Sequence, residues 1–156
     1  MTLRSFFFLV VVALAAAEYA PVHAQSAQPL PSNGRVWRDG GGAPAAPFTI
    51  ETSGGATYLV RLYEKSRNRP ALTILVHGGK TVQTKVPYGD YTLRYAVGGS
   101  EWFGLSGLFG PSTEVYEANA TLRFYRSGNK IHGQRVTLYG VVDGNMPTTK
   151  VNKNNF

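Results

Sequence analysis

Apolar and polar side chains alternate along much of the chain after residue 48, with the period of two that is typical of half-buried β-strands. The alternation is clearest from Tyr91 to Val97, where Thr92, Arg94 and Ala96 separate the larger apolar residues. Strands of this kind are predicted over residues 56–63, 71–77, 80–86, 91–97, 120–126 and 135–142.

Turn-forming residues separate these runs. Gly78-Gly79 and the segment Pro87–Asp90 are turns by composition, and Ser127–Lys130 predicts a hairpin turn between the last two strands. No window of the chain carries a convincing helical stripe. Short strands joined by Gly-rich turns predict an all-β fold, either a single antiparallel β-sandwich or a small barrel.

The first 24 residues have the pattern of a secretory signal peptide. Arg4 supplies the positive charge, Phe6–Ala17 is an unbroken apolar run, and Val22-His23-Ala24 places small residues before a cleavage site after Ala24. The apolar run is shorter than the roughly 20 residues of a membrane-spanning helix. We therefore expect a secreted protein of the bacterial periplasm, with an uncleaved membrane anchor as the alternative.

The segment 25–47 differs from both its neighbours. It is rich in Pro, Gly, Ser and Ala without a regular apolar period, which predicts a flexible, disordered linker. Val36 and Trp37 are its exception, because Trp37 would either dock on a partner or pack back on its own domain. The predicted organisation is a signal peptide at 1–24, the linker at 25–47, a β-sandwich domain at 48–151 and a frayed tail at 152–156.

The composition narrows the chemistry. The chain has no cysteine, which excludes disulfides, a thiol nucleophile and Cys-ligated metal sites. A formal net charge of +7 favours an anionic partner, such as an envelope polymer, phospholipid headgroups or nucleic acid. Another envelope protein is the alternative partner.

Several short motifs carry a family resemblance. Val86–Arg94 resembles the strand entry of transthyretin-like and carboxypeptidase-regulatory-like modules of the PEGA type, which are small β-sandwiches. Over residues 48–149 the chain is similar to a family of small secreted bacterial β-sandwich proteins, with Phe103 where Tyr is usual and with Gly99 and Ser100 inserted. The motifs that recur in order include Tyr95-Ala96-Val97-Gly98, Trp102-Phe103-Gly104 and Leu108-Phe109-Gly110-Pro111-Ser112-Thr113. The resemblance implies the architecture and no particular activity.

No catalytic constellation is visible in the sequence. Gly104–Leu108 fails the Gly-x-Ser-x-Gly pattern of hydrolases at its fifth residue, and a phosphate-binding Gly-rich loop is absent. His77 and His132 stand apart without metal-ligand spacing. We therefore predict no catalytic residues, no metal and no cofactor.

Two groups of residues are candidates for binding. The first is the aromatic segment 101–110, whose Trp102, Phe103 and Phe109 would either recognise a partner or plug one end of the sandwich. The second consists of arginines that face away from the apolar set, either as a solvated face or as a platform for a polyanion. Its members are Arg61, Arg94, Arg123 and Arg135.

These observations predict a secreted, non-enzymatic binding or envelope-associated protein. One alternative is a glycan-directed enzyme of the cell envelope. Another is a phage-exclusion or toxin-immunity protein, although a basic chain does not suit an inhibitor of basic lysozymes.

Overall fold

The computed structural model describes residues 25–139 and 147–156. The predicted signal peptide, residues 1–24, and the end of the predicted strand 135–142 lie outside the described residues. Within those residues no helix is long and apolar enough to cross a membrane.

The described residues form ten strands and two short helical turns. The strands are β1 (Val36–Arg38), β2 (Ala46–Thr52), β3 (Thr57–Glu64), β4 (Arg69–His77), β5 (Thr81–Val86), β6 (Gly89–Gly98), β7 (Glu114–Ser127), β8 (Lys130–His132), β9 (Gln134–Leu138) and β10 (Thr148–Val151). The helical turns are α1 (Gly104–Gly107) and a 3₁₀ turn at Lys153–Asn155.

Seven strands form one curled antiparallel sheet, which has the shape of a half-barrel. Its order is β1-β4-β3-β6-β7-β10, and β8 pairs with the far end of β7. This large sheet contains the predicted strands 56–63, 71–77, 91–97 and 120–126, whereas the predicted strand 80–86 forms β5 and lies in a second sheet. The predicted all-β fold class is therefore confirmed.

A small sheet of β5, β2 and β9 packs against the inner face of the large sheet. Phe48 of β2 meets Phe124 of β7 edge to face, with 5.5 Å between ring centroids. The small sheet departs from a purely antiparallel arrangement, because β2 and β9 run parallel from Phe48–Gln134 to Thr52–Leu138.

The predicted hairpin at Ser127–Lys130 forms, but its second strand is β8 rather than the strand that begins at Arg135. Arg135 belongs to β9, which crosses to the small sheet directly after Gly133. At this crossing a Cβ on residue 133 would collide with the carbonyl oxygen of Pro47. Glycine at this position allows the chain to leave one sheet and join the other.

The predicted flexible linker is wrong for much of the segment 25–47. β1 pairs with β4 in the register Val36–Ile74 to Arg38–Leu72, and β2 begins at Ala46, inside the predicted linker. Trp37 packs on its own domain, the second of its two predicted roles, and stacks on Trp102 at 6.3 Å between ring centroids. The cause is tertiary: without β1, the outer edge of β4 would expose unpaired backbone groups.

The predicted frayed tail at 152–156 is also ordered. Asn152 caps the 3₁₀ turn by accepting a hydrogen bond from the backbone N–H of Asn154, and Phe156 packs against buried side chains of the large sheet. The polar composition of the tail concealed this single apolar anchor.

We expect Gly133→Ala to lower the free energy of unfolding by about 1–3 kcal/mol, because the added methyl group forces two backbone segments apart. Urea denaturation followed by circular dichroism measures this loss. The matched control is Gly54→Ala, since a Cβ there meets nothing within 4 Å. Equal stability of the two variants would contradict the role assigned to Gly133.

Candidate functional site

The large sheet carries apolar side chains on both faces. Its inner face contributes to the main core, while Leu59, Leu75 and Ala96 point to the outer face and are fully buried there. They belong to a second apolar cluster on that face. Its other buried members are Trp102, Leu108, Phe109 and Val115, and Leu30, Trp37, Val151 and Phe156 pack at its border.

The aromatic loop, residues 99–113, supplies the centre of the second cluster. Trp102 and Phe109 are buried, with 5.7 Å between their ring centroids. Phe109 lies directly over Gly98 of β6, where a Cβ would collide with it. The loop can lie this close to the sheet because residue 98 has no side chain.

Hydrogen bonds fix the conformation of the loop. The backbone N–H of Phe103 donates to the carbonyl of Leu108 at 2.8 Å, and the N–H of Phe109 donates to Oγ1 of Thr113 at 3.1 Å. The N–H of Gln28 donates to the carbonyl of Trp102 at 2.7 Å and joins the loop to the N-terminal segment. A loop held in this way presents its exposed residues in one arrangement.

A cleft with a volume of about 720 Å³ lies between the aromatic loop and the tail, and we call it the loop cleft. Its residues are Gln25, Phe103, Leu105, Ser106, Gly107, Leu108, Gly110, Pro111, Lys153, Asn154 and Phe156. The volume falls within the range of about 300–1,000 Å³ that is usual for small-molecule sites. Most side chains in its walls are apolar, one is cationic and none is acidic.

The polar groups of the cleft come from three segments. The side-chain amide of Gln25 donates to the carbonyl of Phe103 at 2.8 Å and lies 3.4 Å from Oγ of Ser106. Lys153 and Asn154 belong to the tail on the opposite side. The ammonium group of Lys153 takes part in none of the ion pairs found among the described residues.

Two arginines hold the tail on the sheet. Arg61 and Arg94 are direct cross-strand neighbours on β3 and β6. The guanidinium of Arg94 donates to Glu117 at 2.5 Å and to the carbonyl of Asn155 at 2.6 Å, whereas that of Arg61 lies 4.2 Å from the ring centroid of Phe156. Burial alone would lower the pKa of Arg94, but the interactions of its guanidinium with Glu117 and Tyr63 together raise the pKa.

The three aromatic candidates of the loop have two different roles in the structure. Trp102 and Phe109 are buried in the second cluster, so they plug the outer face of the sheet and have little surface for a partner. Phe103 lines the loop cleft instead. Leu105 and Phe156 were not singled out in the sequence, although both line the same cleft.

The four candidate arginines do not form one basic surface. Arg61, Arg94 and Arg123 lie on strands of the large sheet, whereas Arg135 lies on β9 of the small sheet. Arg94 pairs with Glu117, Arg123 with Asp90 at 3.0 Å, and Arg135 with Glu51. The carboxylates neutralise three of the four.

The two histidines of the described residues have different partners. Nε2 of His77 lies 2.9 Å from the carbonyl oxygen of Pro31, and His132 stacks on Tyr125. Over residues 25–139 and 147–156 no group of three or more metal-ligating side chains could hold a metal ion.

Comparison of the chain with protein-family models, curated proteins and solved structures finds no significant match. The resemblances given above therefore stay predictions, and the functional argument depends on the geometry of the site.

We expect Trp102→Ala to cost about 3–5 kcal/mol of unfolding free energy, because it removes a buried indole from the second cluster. Phe103→Ala should cost less, about 1–2 kcal/mol, since its ring is only half-buried. Guanidinium denaturation compares the two. Should Trp102→Ala not fold, Trp102→Phe takes its place. Equal losses of stability at positions 102 and 103 would contradict the conclusion that Trp102 is the buried anchor and Phe103 lines the cleft.

The attachment of β10 should depend on pH. Hydrogen bonds from Lys150, at 2.6 Å, and from Tyr116 hold the pKa of Glu114 below its ordinary value of 4.5. Because the folded pKa is the lower one, this stabilisation is complete above about pH 4.5 and is lost as the pH falls through the folded pKa.

Glu114→Gln should therefore lower the thermal midpoint near neutral pH, and the difference from the wild-type protein should shrink in acid. Thermal unfolding followed from about pH 7 to about pH 3 measures this. A difference that stays constant over that range would show that Glu114 contributes nothing through its charge.

Proposed function

We propose that this protein is an exported, non-enzymatic binding protein that takes an amphipathic, anionic ligand of the bacterial envelope into the loop cleft. The observation that carries the proposal is the composition of the cleft, which combines apolar walls with a single cationic side chain and no acidic side chain. A ligand with an apolar part and an acidic group matches both properties.

The apolar part of such a ligand would contact Phe103, Leu105 and Phe156. These side chains reach the cleft from the loop and from the tail, so the ligand would lie between two segments that are separate in the sequence. Burial of apolar ligand surface contributes about 25 cal/mol per Å² before the cost of association.

The acidic group would meet Lys153. Its ammonium group takes part in none of the ion pairs found among the described residues, unlike the guanidinium groups of Arg94, Arg123 and Arg135. The side chains of Ser106 and Asn154 add neutral donors at the same opening. The net charge of +7 would further favour the approach of an anion.

Contacts with the sheet hold both walls of the cleft in place, so the site is formed before a ligand binds. Trp102 and Phe109 anchor the loop from beneath, and the Arg61 and Arg94 side chains hold the tail. A site that is already formed loses little conformational entropy when it binds. The predicted signal peptide supports the proposal that the protein acts in the bacterial envelope.

Isothermal titration of the exported protein with dihexanoyl phosphatidylglycerol tests the proposal, with dihexanoyl phosphatidylcholine as the zwitterionic comparison. We expect the anionic lipid to bind more tightly, and Leu105→Glu to weaken its binding about tenfold or more by placing a carboxylate in the cleft. Lys153→Gln should remove the preference for the anion. Lys130→Gln, a change of the same type on the distant hairpin, is the matched control.

Raising the salt from about 50 to about 200 mM should weaken the binding of the anionic lipid. Binding that is unaffected by Leu105→Glu, or that is equal for both lipids, would overturn the proposal. Conversion of the lipid to a product during the titration would contradict the non-enzymatic role.

A further inference from the structure

A second open site lies at the other end of β3, away from the loop cleft. It is a groove with a volume of about 860 Å³, and we call it the tyrosine groove. Its residues are Glu64, Lys65, Ser66, Tyr88, Gly89, Asp90, Arg123, Phe124 and Tyr125. Of these only Arg123 was a candidate from the sequence.

Two exposed tyrosines line this groove. Tyr88 is 43% exposed and Tyr125 is 42% exposed, although large aromatic rings are usually buried more deeply. Tyr125 stacks on its cross-strand neighbour His132 with 4.3 Å between ring centroids and 4° between ring planes. The stack fixes the orientation of the Tyr125 ring before any ligand arrives, which lowers the entropy cost of using it.

The polar side chains of the groove are held by hydrogen bonds. Nε of Arg123 donates to Oδ1 of Asp90 at 3.0 Å, and Nζ of Lys65 donates to Oγ1 of Thr121 at 2.9 Å. The backbone N–H of Lys65 donates to the carbonyl of Asp90 at 3.0 Å and connects the β3–β4 turn to the start of β6. These groups are exposed, so they can exchange water for the hydroxyl groups of a ligand.

The charges of the groove balance. Glu64 and Asp90 supply two negative charges, and Lys65 and Arg123 supply two positive ones. Both carboxylates of the groove are already paired with guanidinium groups, Asp90 with Arg123 at 3.0 Å and Glu64 with Arg67 at 3.0 Å. The groove suits a neutral ligand with many hydroxyl groups.

We propose that the tyrosine groove binds a neutral saccharide. One face of a pyranose ring carries C–H groups that pack on an aromatic ring, and its edge carries hydroxyl groups that both donate and accept hydrogen bonds. Tyr125 and Tyr88 offer the aromatic surface, the carboxylate of Asp90 accepts, and the guanidinium of Arg123 donates.

This proposal goes beyond the ligand of the loop cleft and stands or fails independently, because the two sites share no residue. The test is the binding of the exported protein to an array of neutral oligosaccharides, including chitohexaose, cellohexaose and maltohexaose, followed by isothermal titration with the strongest. We expect millimolar or tighter binding to at least one of them. It should not change between about 50 and about 500 mM salt, since the ligand is neutral.

Tyr125→Ala and Tyr88→Ala should each weaken this binding about tenfold. Tyr139→Ala is the matched control, because Tyr139 is 41% exposed and lies outside the groove. Asp90→Asn, which keeps the shape of the side chain, provides a variant whose folding is not at risk, and it should also weaken binding. Circular dichroism verifies the fold of every variant.

The proposal is overturned if no neutral oligosaccharide on the array binds, or if binding survives Tyr125→Ala and Asp90→Asn. It is also overturned if Tyr139→Ala has the same effect as Tyr125→Ala. Loss of saccharide binding on Leu105→Glu would move the sugar to the loop cleft and contradict the assignment to the groove.

Discussion

The large sheet buries apolar side chains on both of its faces, and most of the remaining structure follows from this constraint. The small sheet covers the inner face, as in an ordinary sandwich. The outer face carries Leu59, Leu75 and Ala96, which would be exposed to water unless another part of the chain covered them. The aromatic loop, the N-terminal segment and the tail provide that cover, so three segments of irregular composition are ordered by one apolar surface.

The candidate binding cleft is a consequence of this cover. Irregular segments pack less completely than strands, and the space left between the aromatic loop and the tail is the loop cleft. Side chains of the loop divide their roles accordingly: Trp102 and Phe109 point into the second cluster, while Phe103 and Leu105 line the opening. Residues that stabilise the fold and residues that are available to a ligand are therefore neighbours in the sequence.

The distribution of charge separates the two open sites. Arg94, Arg123 and Arg135 are matched with carboxylates across neighbouring strands, which keeps the faces of the sheets close to neutral. The excess of positive charge remains on side chains such as Lys153, outside these pairs. A basic composition thus coexists with a charge-balanced groove at Tyr88 and Tyr125 and a cationic cleft at the opposite end of β3.

The sequence contained a sign that the outer face of the large sheet is covered, but the alternation of apolar and polar residues concealed it. Tyr58-Leu59-Val60, Ile74-Leu75-Val76 and Tyr95-Ala96-Val97 are continuous apolar runs, which are typical of strands that are buried on both faces. Strands that are buried on both faces require a second apolar layer, and the aromatic segment 101–110 is its natural source. The partners of Arg94 and Arg123 had no such signal, because Glu117 and Asp90 come from strands whose register depends on a bulge between β6 and β7.

The sequence by itself determined the all-β class, the turns that separate the central strands and the concentration of aromatic residues in one loop, since these depend on local periodicity and turn chemistry. Only the tertiary structure decided that the segment 25–47 adds a strand, that β9 leaves its neighbour for the small sheet, and which aromatic residues are buried. These outcomes depend on which surfaces remain uncovered once the sheets have formed, and that is a property of contacts between residues far apart in the chain.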